Sequence, residues 1–129
     1  MNIFGIGTDI INIKRIEKSL RKKGSKFKNK IFTKKEMLYC ESKKKPSSYY
    51  AKRFAAKEAF AKSLGTGFRD GLNFKDISIV NDKLGKPSFF INKKIKKLIK
   101  KRFKVNSFDF FLSISDEKKY SIAFVVFQK

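Results

Sequence analysis

Apolar positions recur along this chain in two rhythms, every second residue or every third to fourth, and the switches between them outline its elements. Residues 2–8 predict a short strand with two glycines, and Asp9 follows directly. From Ile10 the series Ile10, Ile13, Ile16, Leu20 has helical spacing, with Lys14, Arg15, Lys18, Arg21, Lys22 and Lys23 on the other side. Asp9 then stands at a strand-to-helix junction, where a carboxylate can cap the helix and meet its N-terminal dipole. Gly24 and Ser25 break this helix, and residues 26–31 form a short connecting segment. Thr33 and Glu36 have capping-box spacing, which predicts a helix over 33–44 ended by Pro46. Ser47 or Ser48 caps the next helix, which runs through Tyr50, Phe54, Ala55, Ala59, Phe60 and Leu64. Gly65 ends it, because glycine tolerates a left-handed C-terminal cap. The small residues Ala51, Ala55, Ala56, Ala59 and Ala61 allow a neighbouring element to pack closely against this helix.

The second half alternates more tightly. Residues 74–80 predict a strand, 81–87 a turn and 88–91 a returning strand, so a hairpin is expected. Residues 92–103 form a basic amphipathic helix with its lysines toward solvent. Residues 108–115 and 120–127 are two strands joined at 116–119, apolar on both faces and therefore central. This order predicts an α+β fold: a single small domain over residues 1–129, with an antiparallel sheet packed against helices.

Composition narrows the chemistry. Hydrophobic residues make up 41% and aromatics 15%, enough for a folded core despite 34% charged residues. There is no histidine, which removes imidazole bases, histidine metal ligands and Ser-His or Cys-His nucleophile systems together. Any metal must be held by oxygen, which points to a hard cation such as magnesium. Cys40 is the lone cysteine and fits a reducing cytoplasm. The longest apolar run, 122–127, is far too short to span a bilayer, and no basic segment precedes the apolar start; neither a membrane helix nor a secretory signal is expected. The net charge of +22 suggests a polyanionic partner: nucleic acid, phosphorylated cofactor or acidic protein. Compositional drift toward lysine accounts for it equally well.

The best-defined helix carries Glu58 and Lys62 four residues apart, on one face. Spacing alone makes them a surface ion pair. Gly65-Thr66-Gly67 follows a helix instead of preceding one, so by itself it is a cap and not a phosphate cradle.

Four segments together resemble one family. Gly5-Ile6-Gly7-Thr8-Asp9-Ile10, Phe32-Thr33-Lys34-Lys35-Glu36, residues 53–67 (RFAAKEAFAKSLGTG) and Leu112-Ser113-Ile114-Ser115 are similar, in order, to the motifs of bacterial holo-acyl-carrier-protein synthases. The resemblance implies transfer of 4′-phosphopantetheine from coenzyme A to a serine of acyl carrier protein, releasing adenosine 3′,5′-bisphosphate for fatty acid biosynthesis. It implies magnesium on Asp9 and Glu58, with Glu58 and Lys62 as the catalytic pair and Lys62 serving the leaving phosphate. Arg53, Lys57, Lys62, Gly65 and Thr66 become candidates for contacting coenzyme A. Arg15, Lys18, Arg21 and Lys22 of the first helix become the surface that meets the acidic carrier. The family is typically a homotrimer, which would set Asp9 beside a neighbour's Glu58 helix.

One position departs from the pattern. The family usually has histidine after the LSIS motif, where this chain has Asp116. The expectation is that Asp116 lies near the pyrophosphate and raises the demand for metal. Two other readings stand beside the enzyme: a basic nucleic-acid-binding protein of ribosomal type, and a trimeric scaffold without activity. Basic residues spread along every helix, with no aromatic-rich binding motif, count against nucleic acid.

Overall fold

The computed structural model describes residues 2–129. Its elements are β1 (Ile3–Asn12), α1 (Ile13–Lys23), α2 (Ser25–Ile31), α3 (Lys34–Glu41), α4 (Pro46–Ser63), β2 (Ile77–Asn81), β3 (Pro87–Ile91), α5 (Lys93–Phe103), β4 (Asp109–Asp116) and β5 (Tyr120–Gln128). The α+β expectation holds. A three-stranded antiparallel sheet in the order β1-β5-β4 packs under α4, and β2-β3 form the separate hairpin.

α4 is the element around which the rest is arranged. Ala51, Ala55, Ala56 and Ala59 are buried in the core shared with β1 and β5, while Phe60, Ala61 and Leu64 enter a second cluster with Ile95 and Ile99 of α5. The alanines let the sheet come close, and Gly5 and Gly7 of β1 complete the fit. A Cβ at Gly5 would run into the Ser63 carbonyl oxygen, and one at Gly7 into the Ala59 carbonyl oxygen. Small residues on both sides therefore set the separation of helix and strand. Phe110 joins the two clusters, stacked on Phe127 at 4.5 Å and against Phe60 at 4.2 Å.

Three local expectations are corrected. β1 continues through Asp9 and Ile10 to Asn12, because Asp9 pairs with Ala123 and Ile10 with Ile122 on β5. Ladder pairing overrides the helical spacing of Ile10, and Asn12 is the residue that caps α1, accepting from the Lys14 N–H at 2.9 Å. Residues 25–31 form a helix, because Ile31 is drawn into the core. Pro46 opens α4 instead of ending α3, and neither Ser47 nor Ser48 caps it. Proline suits that first turn, where its missing N–H would have no helical partner. The capping box of Thr33 and Glu36 and the glycine after α4 form as expected, Gly65 having φ +80°.

Strand alternation leaves the second face of the large sheet bare. Ile6, Ile10, Phe111, Ile122 and Phe124 project from it, each exposed. The apolar pattern on both faces of β5 is real, but only one face is covered within the chain.

Candidate active site

Where β1 crosses α4, the strand carries Asp9 and the helix Glu58 and Lys62. The Lys62 ammonium donates to Asp9 Oδ1 at 3.2 Å and to the Thr8 carbonyl at 2.9 Å. The surface ion pair expected between Glu58 and Lys62 is thus replaced by a long-range one to Asp9. Among the described residues Glu58 has no ion-pair partner. Burial pushes the Asp9 carboxyl up, against the pull of Lys62 and Arg15. Burial also raises Glu58, with the Asp9 charge adding to it and Lys62 opposing. Two half-buried carboxylates facing one exposed lysine are short of positive charge. Their donor set, oxygen only, with open solvent on one side, fits a hard cation that keeps several waters. Both carboxylates come from one chain, so the pair forms within it.

A second polar cluster lies on another side of α4. A cavity of about 270 Å³ is lined by Tyr39, Tyr49, Lys52, Arg53, Asn81 and Asp116, among others. The Arg53 guanidinium sits 4.2 Å over the Tyr39 ring and donates to Asn81 Oδ1 at 2.6 Å. Lys52 lies 4.2 Å over the Tyr49 ring and 3.6 Å from Asp116 Oδ2. Within the chain, this placement sets Asp116 beside Lys52 and away from Asp9. β5 separates its strand from that of Asp9, and no three metal-binding side chains converge among the described residues.

The comparisons with known proteins cover nearly all of this chain. The sequence profile of the 4′-phosphopantetheinyl transferase superfamily matches residues 5–125. A holo-[acyl-carrier-protein] synthase of Pelagibacter ubique is 59% identical over 129 residues, spanning 100% of this chain and 99% of that protein. The chain belongs to the 4′-phosphopantetheinyl transferase superfamily. It is an enzyme, of the holo-acyl-carrier-protein synthase type. The crystal structure of the Neisseria meningitidis synthase superposes with a TM-score of 0.89 at 44% identity, covering 99% of this chain and 100% of that one. The Helicobacter pylori synthase, solved in complex with coenzyme A, superposes with a TM-score of 0.79 at 33% identity, covering 95% and 99%.

The remaining candidates of this transferase are placed as follows. Arg15, Lys18, Arg21 and Lys22 are exposed along α1, and the last two complement the negative end of the helix dipole. Gly65 and Thr66 close α4, and the Thr66 hydroxyl accepts from Arg102 at 3.0 Å. Lys57 is the expectation that fails. It is fully buried, and its ammonium donates to Glu36 Oε1 at 2.6 Å and to the Ile31 carbonyl at 2.7 Å, so it cannot reach a coenzyme. Burial lowers its pKa, with Glu36 opposing. Arg53 is almost as buried, yet it reaches the cavity wall. Tyr39, Tyr49, Lys52 and Asn81 were not anticipated. Tyr49, Lys52 and Arg53 share α4 at helical spacing, but Tyr39 and Asn81 join them only through the fold.

Proposed function

We propose that the chain, as one transferase domain over residues 1–129, moves 4′-phosphopantetheine from coenzyme A to a serine of apo acyl carrier protein, with magnesium on Asp9 and Glu58. Adenosine 3′,5′-bisphosphate leaves, and the product serves fatty acid biosynthesis in the cytoplasm. The observation that carries this reading is the convergence of Asp9, Glu58 and Lys62 from β1 and α4, forced by glycine against alanine.

In the transfer, the serine oxygen bonds to the pyrophosphate phosphorus that bears the pantetheine arm, and the bond from that phosphorus to the bridging oxygen breaks. Asp9 and Glu58 would hold magnesium, which supplies neutralisation of pyrophosphate charge when bound. Lys62, more than half of its side chain exposed, is free to exchange Asp9 for the leaving phosphate and to stabilise or protonate it. Glu58 and Asp9, held above the usual carboxylate range, gain from a cation that ends their repulsion.

The nucleotide end of coenzyme A suits the cavity of Arg53 and Lys52, where cations and tyrosine rings lie together. Because this cavity does not include the carboxylate pair, one coenzyme could bridge the two if it spans a subunit boundary. The bare sheet face of Ile6, Ile10, Ile122 and Phe124 supports that reading, since an apolar patch of this kind marks a contact surface. We read the assembly as a homotrimer with interfacial sites. The exposed cations of α1 would steer the acidic carrier. No helix among the described residues is long and apolar enough to cross a membrane.

The test is to incubate the chain with coenzyme A, magnesium and apo carrier protein and weigh the carrier. A gain of one phosphopantetheine, lost in Glu58→Gln or when magnesium is withheld, is the expected result. Transfer that persists without Glu58 or without a divalent ion overturns the proposal.

A further inference from the structure

Among the described residues, three buried charged side chains, Glu36, Arg53 and Lys57, cluster away from the carboxylate site. Glu36, 1% exposed, stands at the start of α3. Its Oε1 accepts from the Thr33 N–H at 3.0 Å and from Lys57 at 2.6 Å, and its Oε2 accepts from the Ile79 N–H of β2 at 3.1 Å. Arg53 Nε lies 3.8 Å from the same Oε2 without a hydrogen bond, and this nitrogen is buried with no partner. One carboxylate thus ties together three of the elements that wall the Arg53 cavity: α3 with Tyr39, α4 with Arg53, and β2 with Ile79 and Asn81.

The cluster holds one anion and two cations. Lys57 makes the short pair with Glu36, so the charge of Arg53 is only loosely balanced inside the protein and remains available to an anion in the cavity. We propose that Glu36 is a positioning residue for coenzyme binding, acting through Arg53. It aligns β2 so that Asn81 holds the guanidinium against Tyr39, while its pairing with Lys57 keeps Arg53 from being fully neutralised. This rests on the reading that the cavity takes the nucleotide of coenzyme A.

Removing one member of a buried pair leaves the other charge stranded, so Glu36 alone is a poor test. The paired change Glu36→Met with Lys57→Met removes the close ion pair together, so Lys57 is not left stranded, and Arg53 remains as the one charge of the cluster. In that variant the Ile79 N–H and Arg53 lose their common anchor. The KM for coenzyme A should rise roughly tenfold or more, as displaced binding groups generally cause. The KM for carrier protein should stay near wild type, while the melting temperature should fall, because the Ile79 N–H and Arg53 lose a buried partner. In an Arg53→Met background the same pair of changes should add less than about twofold, because the effect travels through Arg53. Should the paired variant not fold, Glu36→Gln, measured per folded molecule by titration with adenosine 3′,5′-bisphosphate, carries the same expectation of weakened binding. A folded variant with wild-type KM for coenzyme overturns the role of Glu36. If Arg53→Met itself leaves that KM unchanged, it is the assignment of the cavity to coenzyme that fails.

Discussion

Gly7→Ala probes the contact that brings the two halves of the carboxylate site together. Gly7 does not occupy a left-handed conformation, so alanine is locally acceptable and by itself would stabilise by about 0.4–1 kcal/mol through the unfolded chain. The obstacle is tertiary. The new methyl would meet the Ala59 carbonyl oxygen, with Ser63 N at 2.8 Å and Ala59 C at 2.9 Å. These are backbone atoms of α4, and no rotamer change moves them aside. β1 must lift from the helix, and overpacking of this kind costs about 1–3 kcal/mol. The clash exceeds the backbone benefit, so a net loss of about 1–2 kcal/mol is expected. Activity should fall further than stability. Asp9 is two residues along the lifted strand, and a shift of about 1 Å between reacting groups commonly costs about 100-fold in rate. Urea denaturation measures the first effect, and the mass-shift assay on carrier protein, under conditions where the variant is fully folded, the second. Ala59→Gly should not rescue either, since the obstruction is the carbonyl and not the methyl. A Gly7→Ala protein with wild-type stability and turnover would refute the claim that this contact sets the site.

Three further outcomes are expected. Glu58→Gln should stabilise the fold at neutral pH, by about 0.5–2 kcal/mol as relief of a strained functional group commonly does. The sign follows from the raised carboxyl: above its folded pKa the cost of the charged form is present in full, it declines as pH falls through that value, and it is gone below the unfolded pKa. Melting curves across pH should therefore show the advantage at neutral pH and its disappearance in acid, while magnesium affinity of the wild type falls away at a higher pH than for free carboxylates. Asp116→Asn frees Lys52 and removes an anion from the cavity, so adenosine 3′,5′-bisphosphate should bind tighter by up to about fivefold, the worth of a part-exposed pair, as calorimetry would read. Ile122→Lys with Phe124→Lys, both on the bare sheet face, should leave the monomer folded but lower the mass seen by light scattering; an unchanged mass removes this face from any assembly.

By itself the sequence determined the helix carrying Glu58 and Lys62, its glycine-marked end, the capping box at Thr33, both hairpins and the α+β class. These depend on local periodicity and turn chemistry, which short stretches record. The resemblance across four segments singled out Asp9 and Glu58, whose joint placement needs contacts 49 residues apart along the chain and so leaves no trace in local spacing. Tertiary structure alone decided the rest. Ile10 looks helical and Asp9 its cap until β5 pairs with both, because a ladder satisfies their backbone groups and helical spacing does not. Lys57 reads as a surface cation, since its sequence neighbours do not reveal that Glu36 and the Ile31 carbonyl enclose it. Asp116 belongs with Lys52 because the strand order β1-β5-β4 puts a whole strand between it and Asp9. In the opposite direction, Gly5 and Gly7 read as loose strand residues, and only the fold shows that their missing side chains hold Asp9 against the helix of Glu58 and Lys62.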